Sequence, residues 1–267
     1  MREAVTGRNM RVATDIGGTF TDVVTLDRGG IRGRKVLSTP ASPDRAVTET
    51  ISSLSEISTF SHGTTVATNA LLERKGAKVA FITTRGFRDL LYIARQQRPR
   101  LYDFNCERPT PVTQRDLCFE APERLAPDGT VLLALSQSDA ATLADHVMES
   151  GAEAAAVCLL FSYKNPSHEM IIEKALRKRG LPVSRSSKII PEFREFERAS
   201  TTAINAFVQP IVHTYVENIR AAIQETGGPP DYYIMKSGGG VAASREVKPV
   251  EMLLSGPAGG VSGALLL

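Results

Sequence analysis

The stretch Asp15-Ile16-Gly17-Gly18-Thr19-Phe20-Thr21-Asp22 constrains this chain most, because it sets a paired glycine between two β-rich segments, Met10-Arg-Val-Ala-Thr14 and Val23-Val-Thr-Leu-Asp27. That pattern predicts a hairpin. A Gly-Gly turn permits positive φ and removes both Cβ atoms, so successive backbone N–H groups can face one concavity and meet an anion at close range. Thr19 and Thr21 add hydroxyl donors. Asp15 and Asp22 add carboxylates, which repel a bare phosphate and make sense beside one where a divalent cation or its water shell lies between. The stretch therefore points to Mg2+–nucleotide chemistry, with an ordinary polar-tipped turn as the competing reading. Spacing removes two alternatives: no third glycine opens a helix after Gly17-Gly18, and no Gly-Lys-Ser/Thr follows.

The chain has 267 residues, 42% apolar and 23% charged, enough for one large or two medium domains. No apolar run reaches membrane-spanning length and residues 1–9 are too polar for a signal peptide, so a cytoplasmic protein without a membrane partner is expected. A net charge of +3, with basic residues dispersed apart from Arg95-Gln-Gln-Arg98-Pro-Arg100, argues against a nucleic-acid partner. Cys106, Cys118 and Cys158 lack C-x-x-C spacing, and His62, His146, His168 and His213 are scattered, so neither a disulfide framework nor a zinc site is expected.

After the hairpin, residues 29–33 read as a turn into a third strand at 34–38, which Pro40 and Pro43 end. A helix follows with Ala46, Val47, Ile51 and Leu54 on one face. His62-Gly-Thr-Thr65 reads as a strand-to-helix junction at which two hydroxyls and an imidazole meet free helix N–H groups. The apolar run at 78–84 predicts a buried parallel strand, completing a βαβ step. Further elements are a short helix at 85–93, a proline-rich loop over 96–127, a helix at 138–149, a strand at 154–161, a helix at 166–179, a strand at 183–187, and a helix at 201–225 kinked by Pro210. Gly227-Gly-Pro-Pro230 punctuates the chain before a strand at 232–235.

Asp-x-Gly-Gly-Thr between two strands resembles the first phosphate loop of the actin, sugar-kinase and Hsp70 ATPase superfamily. Four further blocks sharpen the resemblance: residues 62–74, Pro191-Glu-Phe-Arg-Glu-Phe-Glu-Arg-Ala-Ser-Thr-Thr202, Ser237-Gly-Gly-Gly240 and Ser255-Gly-Pro-Ala-Gly-Gly260. Together they resemble the hydantoinase A/5-oxoprolinase family from about Arg11 onward, residues 1–190 its N-terminal domain and 191–267 the beginning of its core domain. The resemblance implies an α/β, actin-like (ribonuclease H-like) ATPase fold, the first lobe largely complete and the second only begun.

It also implies ATP with Mg2+ or Mn2+ as cofactors, and phosphorylation of a lactam or imide carbonyl for ring opening, with a hydantoinase B-type subunit or self-association. A ketone carboxylase subunit of the acetone or acetophenone type is the alternative, a sugar kinase is disfavoured by the later blocks, and a non-enzymatic nucleotide-binding fragment stays open. In the implied site, Gly17, Gly18, Thr19, Thr21, Asp22, Ser237, Gly238, Gly239, Ser255, Gly256, Gly259 and Gly260 bind the nucleotide, and Asp15 holds the metal. Asp15, His62, Thr64 and Thr65 are the catalytic candidates, and Thr68, Asn69 and Arg95 the substrate-binding ones. Helix capping competes for Thr64 and Thr65, a satisfied structural role for His62, and turns without ligand contact for the glycines at 238–240 and 259–260. Glu192, Arg194, Glu195, Glu197 and Arg198 alternate in sign and read as a surface ion-pair face. Because the family's second loop follows the Ser-Gly-Pro-Ala-Gly-Gly block, the isolated chain is expected to be inactive, with unpaired backbone or exposed apolar surface from Tyr232 onward.

Overall fold

The computed structural model describes residues 10–39, 42–54, 56–97 and 99–265; Pro40, Arg98 and the polar residues 1–9 lie outside them. The chain forms two compact units, one from Met1–Glu73 with Ile211–Leu267, the other from Arg74–Pro210. The first unit is therefore built from both ends of the chain.

In the first unit, β1 (Met10–Ile16), β2 (Phe20–Asp27) and β3 (Gly30–Leu37) form an antiparallel meander. Val12, Thr14 and Ile16 point inward while Ala13 and Asp15 point out, the period of two that a half-buried strand requires. The third strand starts earlier than expected because Arg28-Gly29 suffices as a turn: Gly30 takes φ 102° and pairs with Asp27. Then α1 (Pro43–Ser52) buries Ala46, Val47, Thr50 and Ile51. Next, β4 (Ile57–Thr64) pairs in parallel with β1 and leads into α2 (Val66–Leu72).

The second unit opens with β5 (Val79–Thr84), buried at all six positions as its apolar run predicts. The expected helix at 85–93 shrinks to α3 (Leu90–Ile93). Within the stretch read as loop, β6 (Cys118–Ala121) joins β5 in parallel, and β7 (Arg124–Leu125) pairs with β8 (Val131–Leu133). These strands are too short to show a period. Ser136 caps α4 (Gln137–Glu149) by accepting the Asp139 amide at 3.0 Å. Next come β9 (Ala154–Val157), α5 (Ser167–Arg177), β10 (Val183–Arg185) and the single turn α6 (Ser186–Ile189). The sheet is all parallel, in the order β10-β9-β5-β6, and α4 and α5 cover one face of it through Leu143, Val147, Ile172 and Leu176.

The helix α7 (Glu195–Glu225) starts earlier than expected and continues through Pro210. Its second half returns the chain to the first unit. There β11 (Tyr233–Met235) pairs in parallel with β4 and antiparallel with β12 (Val241–Ala243), and α8 (Ser255–Ala264) follows. The completed sheet runs β12-β11-β4-β1-β2-β3.

Candidate functional site

Three strands bring the site together. Asp15 on β1 lies opposite Asp22 of β2 on one side and opposite Gly63 of β4 on the other. Its carboxylate leans over Gly63 so closely that a Cβ there would stand 2.6 Å from Oδ1, and a Cβ at Gly256 would stand 4.0 Å from the same atom. A side chain at position 63 would have to displace that carboxylate. Around this carboxylate lies a cavity of about 240 Å³, lined by Asp22 and Gly63, by Val24, Met235 and Val241, and by Ser255, Gly256, Gly259 and Gly260 of α8. Burial, with a further contribution from the neighbouring Asp22 charge, holds the Asp15 carboxyl above its ordinary range. Asp22 is more open and pairs with Lys35 at 2.8 Å.

At the end of the same hairpin, Gly17, Gly18 and Thr19 form the connection from β1 to β2. The Gly17 amide donates to the Phe20 carbonyl at 2.9 Å, whereas the Gly18 and Thr19 amides take no partner among the described residues. Neither glycine adopts positive φ, so the pair serves by its missing Cβ atoms rather than by left-handed backbone. Thr19 is exposed. Thr21 is not: it is fully buried, its hydroxyl 3.0 Å from Ser38 Oγ, and Ser38 in turn donates to the Gly17 carbonyl at 2.9 Å. Thr21 braces the loop from behind instead of offering a donor in front.

Strand alternation also divides the His62-Gly-Thr-Thr65 block. Gly63 shares the Asp15 face, while His62 and Thr64 turn their side chains into the interior, where they are 1% and 0% exposed. Both imidazole nitrogens are engaged, Nδ1 with Thr14 Oγ1 at 2.7 Å and Nε2 with Tyr215 OH at 2.5 Å. Burial depresses the His62 pKa from 6.5 to about 3, so the ring is neutral at physiological pH. Thr64 Oγ1 accepts the Val66 amide at 3.2 Å, and Thr65 Oγ1 donates to the Ile16 carbonyl at 3.2 Å rather than capping α2. Both side chains thus lie in the interior, and His62 also borders the Asp15 cavity. The expected cluster of two hydroxyls and an imidazole at free helix amides does not form, because positions 62 and 64 share one face and 63 the other.

The remaining residues separate by place. Thr68 Oγ1 accepts the Leu254 amide at 3.3 Å, supporting a left-handed residue of φ 60° just before α8. Asn69 is exposed and reaches Thr65 Oγ1 at 3.4 Å. Ser237 donates to the carbonyls of Glu251 and Leu253, and Gly239 takes φ 80° in the β11–β12 hairpin, so residues 238–240 form a strand-to-strand turn. Gly259 and Gly260 lie inside α8, not in a turn, and Ser255 opens that helix with Oγ donating to the Thr64 carbonyl at 2.8 Å. Arg95 belongs to the second unit, where it pairs with Glu197 at 2.6 Å. Among the described residues no three His, Cys, Asp or Glu side chains converge, so Asp15 and Asp22 are the pair that could meet a cation, with a nucleotide's own oxygens supplying other ligands. Sequence reasoning missed Ser38, Lys35, Met235 and Tyr215, none of which carries a local signal.

Solved structures superpose closely on this arrangement. A nucleotide-free structure of acetone carboxylase, from work on ATP-dependent acetone carboxylation, matches 96% of this chain and 40% of its own with TM-score 0.85 and 26% identity. That of the ATP-dependent caprolactamase from Pseudomonas jessenii matches 96% of this chain and 40% of its own with TM-score 0.84 and 29% identity. The class that the fold defines is the actin-like ATPase fold. The hydantoinase/oxoprolinase N-terminal region model matches residues 11–180 and the hydantoinase/oxoprolinase model matches 198–267, and the chain belongs to that family. Among curated relatives, 5-oxoprolinase 1 of Arabidopsis thaliana is 32% identical over 95% of this chain and 23% of its own. Caprolactamase subunit alpha of Pseudomonas jessenii is 30% identical over 93% of this chain and 38% of its own. The chain thus spans well under half the length of these relatives.

Proposed function

We propose that the pocket around Asp15 is the metal-nucleotide site of an ATP-dependent enzyme that activates the carbonyl of a cyclic amide for ring opening. The observation that carries this reading is the Asp15 carboxyl, raised in pKa, lying close over Gly63 and one strand from a second carboxylate. A carboxylate kept partly from water beside a like charge gains most from a divalent cation. The unpartnered Gly18 and Thr19 amides, the open approach at Gly18 and the glycine-lined first turns of α8 suit phosphate oxygens. Bound Mg2+ or Mn2+ would neutralise charge on the transferred phosphoryl group. Within the chain, Asp15 and Asp22 would hold and orient that cation, Gly18 and Thr19 would cradle the phosphates, and Thr21 with Ser38 keeps the loop in place.

Cyclic amides are the favoured substrates because 5-oxoprolinase 1 and caprolactamase subunit alpha match at 32% and 30% identity. Ketone carboxylation is the second reading, favoured by the TM-score of 0.85 to acetone carboxylase. A partner subunit of the hydantoinase B type is part of the proposal, supported by the name of the caprolactamase relative, which is itself one subunit. Among the described residues no helix is long and apolar enough to cross a membrane. Asp15→Ala in the whole enzyme should reduce Mg2+-dependent ATP turnover by about 100-fold or more, and unchanged turnover would remove the assignment. A panel of lactams, set against ketones with bicarbonate, separates the two substrate classes.

A further inference from the structure

We propose that Tyr215 is a positioning residue for the Asp15 pocket: its hydroxyl, reaching in from α7, closes a buried polar chain Thr14–His62–Tyr215 that sets where Asp15 stands relative to Gly63. The inference rests on reading that pocket as the nucleotide site. Three residues from three elements make the chain, and Tyr215 itself is 4% exposed.

A neutral imidazole has one N–H and one acceptor nitrogen, and both of its partners here are hydroxyls. In the proposed chain the phenol hydrogen is donated to His62 Nε2, 2.5 Å away. Nδ1 then carries the ring hydrogen and donates it to Thr14, 2.7 Å away.

The chain sits one peptide bond from the pocket on both strands. Thr14 precedes Asp15, and His62 precedes Gly63, whose Cα lies under the Asp15 carboxylate. The Thr64 carbonyl also receives Ser255 Oγ at 2.8 Å, which fixes the first residue of α8 and with it Gly256. The phenol is therefore a strut behind the β1 and β4 wall of the pocket, supplied by a helix with no other part in its lining. Without the hydroxyl, Nε2 is left buried without its donor, and rotation of the ring or of strand β4 to relieve it shifts Gly63 against Asp15.

Tyr215→Phe keeps the ring and removes only the strut. In the full chain, 15N spectra of the His62 ring should show a single Nδ1–H tautomer, and the variant should show a mixture or the Nε2–H form. The Gly63 and Gly256 amide resonances should move in the variant without any ligand, and affinity for Mg·ATP by calorimetry should fall about tenfold at unchanged far-ultraviolet circular dichroism. Unmoved glycine resonances together with undiminished Mg·ATP affinity would overturn the proposal. Should the Phe variant misfold, Thr14→Val removes the hydroxyl at the other end of the chain, and the same two readouts decide. Should the wild-type chain bind no Mg·ATP, the nucleotide reading fails by itself, and the ligand-free glycine resonances still decide the role of Tyr215.

Discussion

Gly63 and His62 are adjacent in sequence and opposite in consequence. Gly63 gives the Asp15 carboxylate its room, so Gly63→Ala drives a methyl group to 2.6 Å from Oδ1 and pushes the carboxylate or the strand aside. Mg·ATP affinity should fall by about tenfold or more in that variant, read by calorimetry, with stability lowered by roughly 1–3 kcal/mol. His62 faces inward and folds neutral. Because its pKa is depressed to about 3 from 6.5, the unfolded chain binds the extra proton in that window, and the stability owed to the neutral ring is whole above the ordinary value and declines as pH falls through it. Urea unfolding from pH 7 to pH 4 should show that decline, and His62→Gln should flatten it. The residue types at these positions were legible in the chain, whereas the face each side chain takes depends on the register of β4 against β1.

At the scale of elements, the charged entry to α7 departs most from what its sequence suggests. Alternating signs over residues 192–198 read as a surface ion-pair face, yet Arg198 is 0% exposed. Its guanidinium donates to Ser162 Oγ at 2.8 Å, to the Leu159 carbonyl at 2.5 Å and to Glu195 at 2.5 Å, and it stacks on the Tyr163 ring at 5.2 Å. Glu169, also buried, shares Ser162 with it and accepts the Leu159 amide at 3.1 Å. A charge here is tolerated because the loop after β9 supplies carbonyl and hydroxyl partners to it. Removing one member strands the others, so Arg198→Ala should cost about 3–5 kcal/mol by urea unfolding, and a loss below 1 kcal/mol would return the residue to the surface reading. Nothing local in Glu-Phe-Glu-Arg distinguishes a solvated arginine from a buried one; burial is imposed by Tyr163 and Glu169, far back in the chain.

For the whole molecule, both ends of the chain build one sheet while residues 74–210 form a separate compact unit. Beyond Tyr232 the backbone of β11 is paired on both sides, β12 is a sheet edge, and Tyr233, Val241, Leu254, Val261 and Leu265 are exposed. Phe20, Val24, Leu26, Ile31 and Leu37 add exposed apolar surface on the Asp15 face of β2 and on β3. In the proposed reading the Gly18 and Thr19 amides meet the phosphates from this face. What the sequence by itself determined was the glycine hairpin, the buried strand β5, the alternation of strand and helix, and the family, because each is written in short-range turn chemistry, periodicity or motif order. Only the tertiary structure decided that Asp15 lies between Asp22 and Gly63, that His62 and Thr21 turn inward, that Tyr215 meets an imidazole 153 positions earlier, and that Arg198 is buried. Those outcomes depend on strand register and on desolvation by distant segments, and neither quantity exists until the chain has closed on itself.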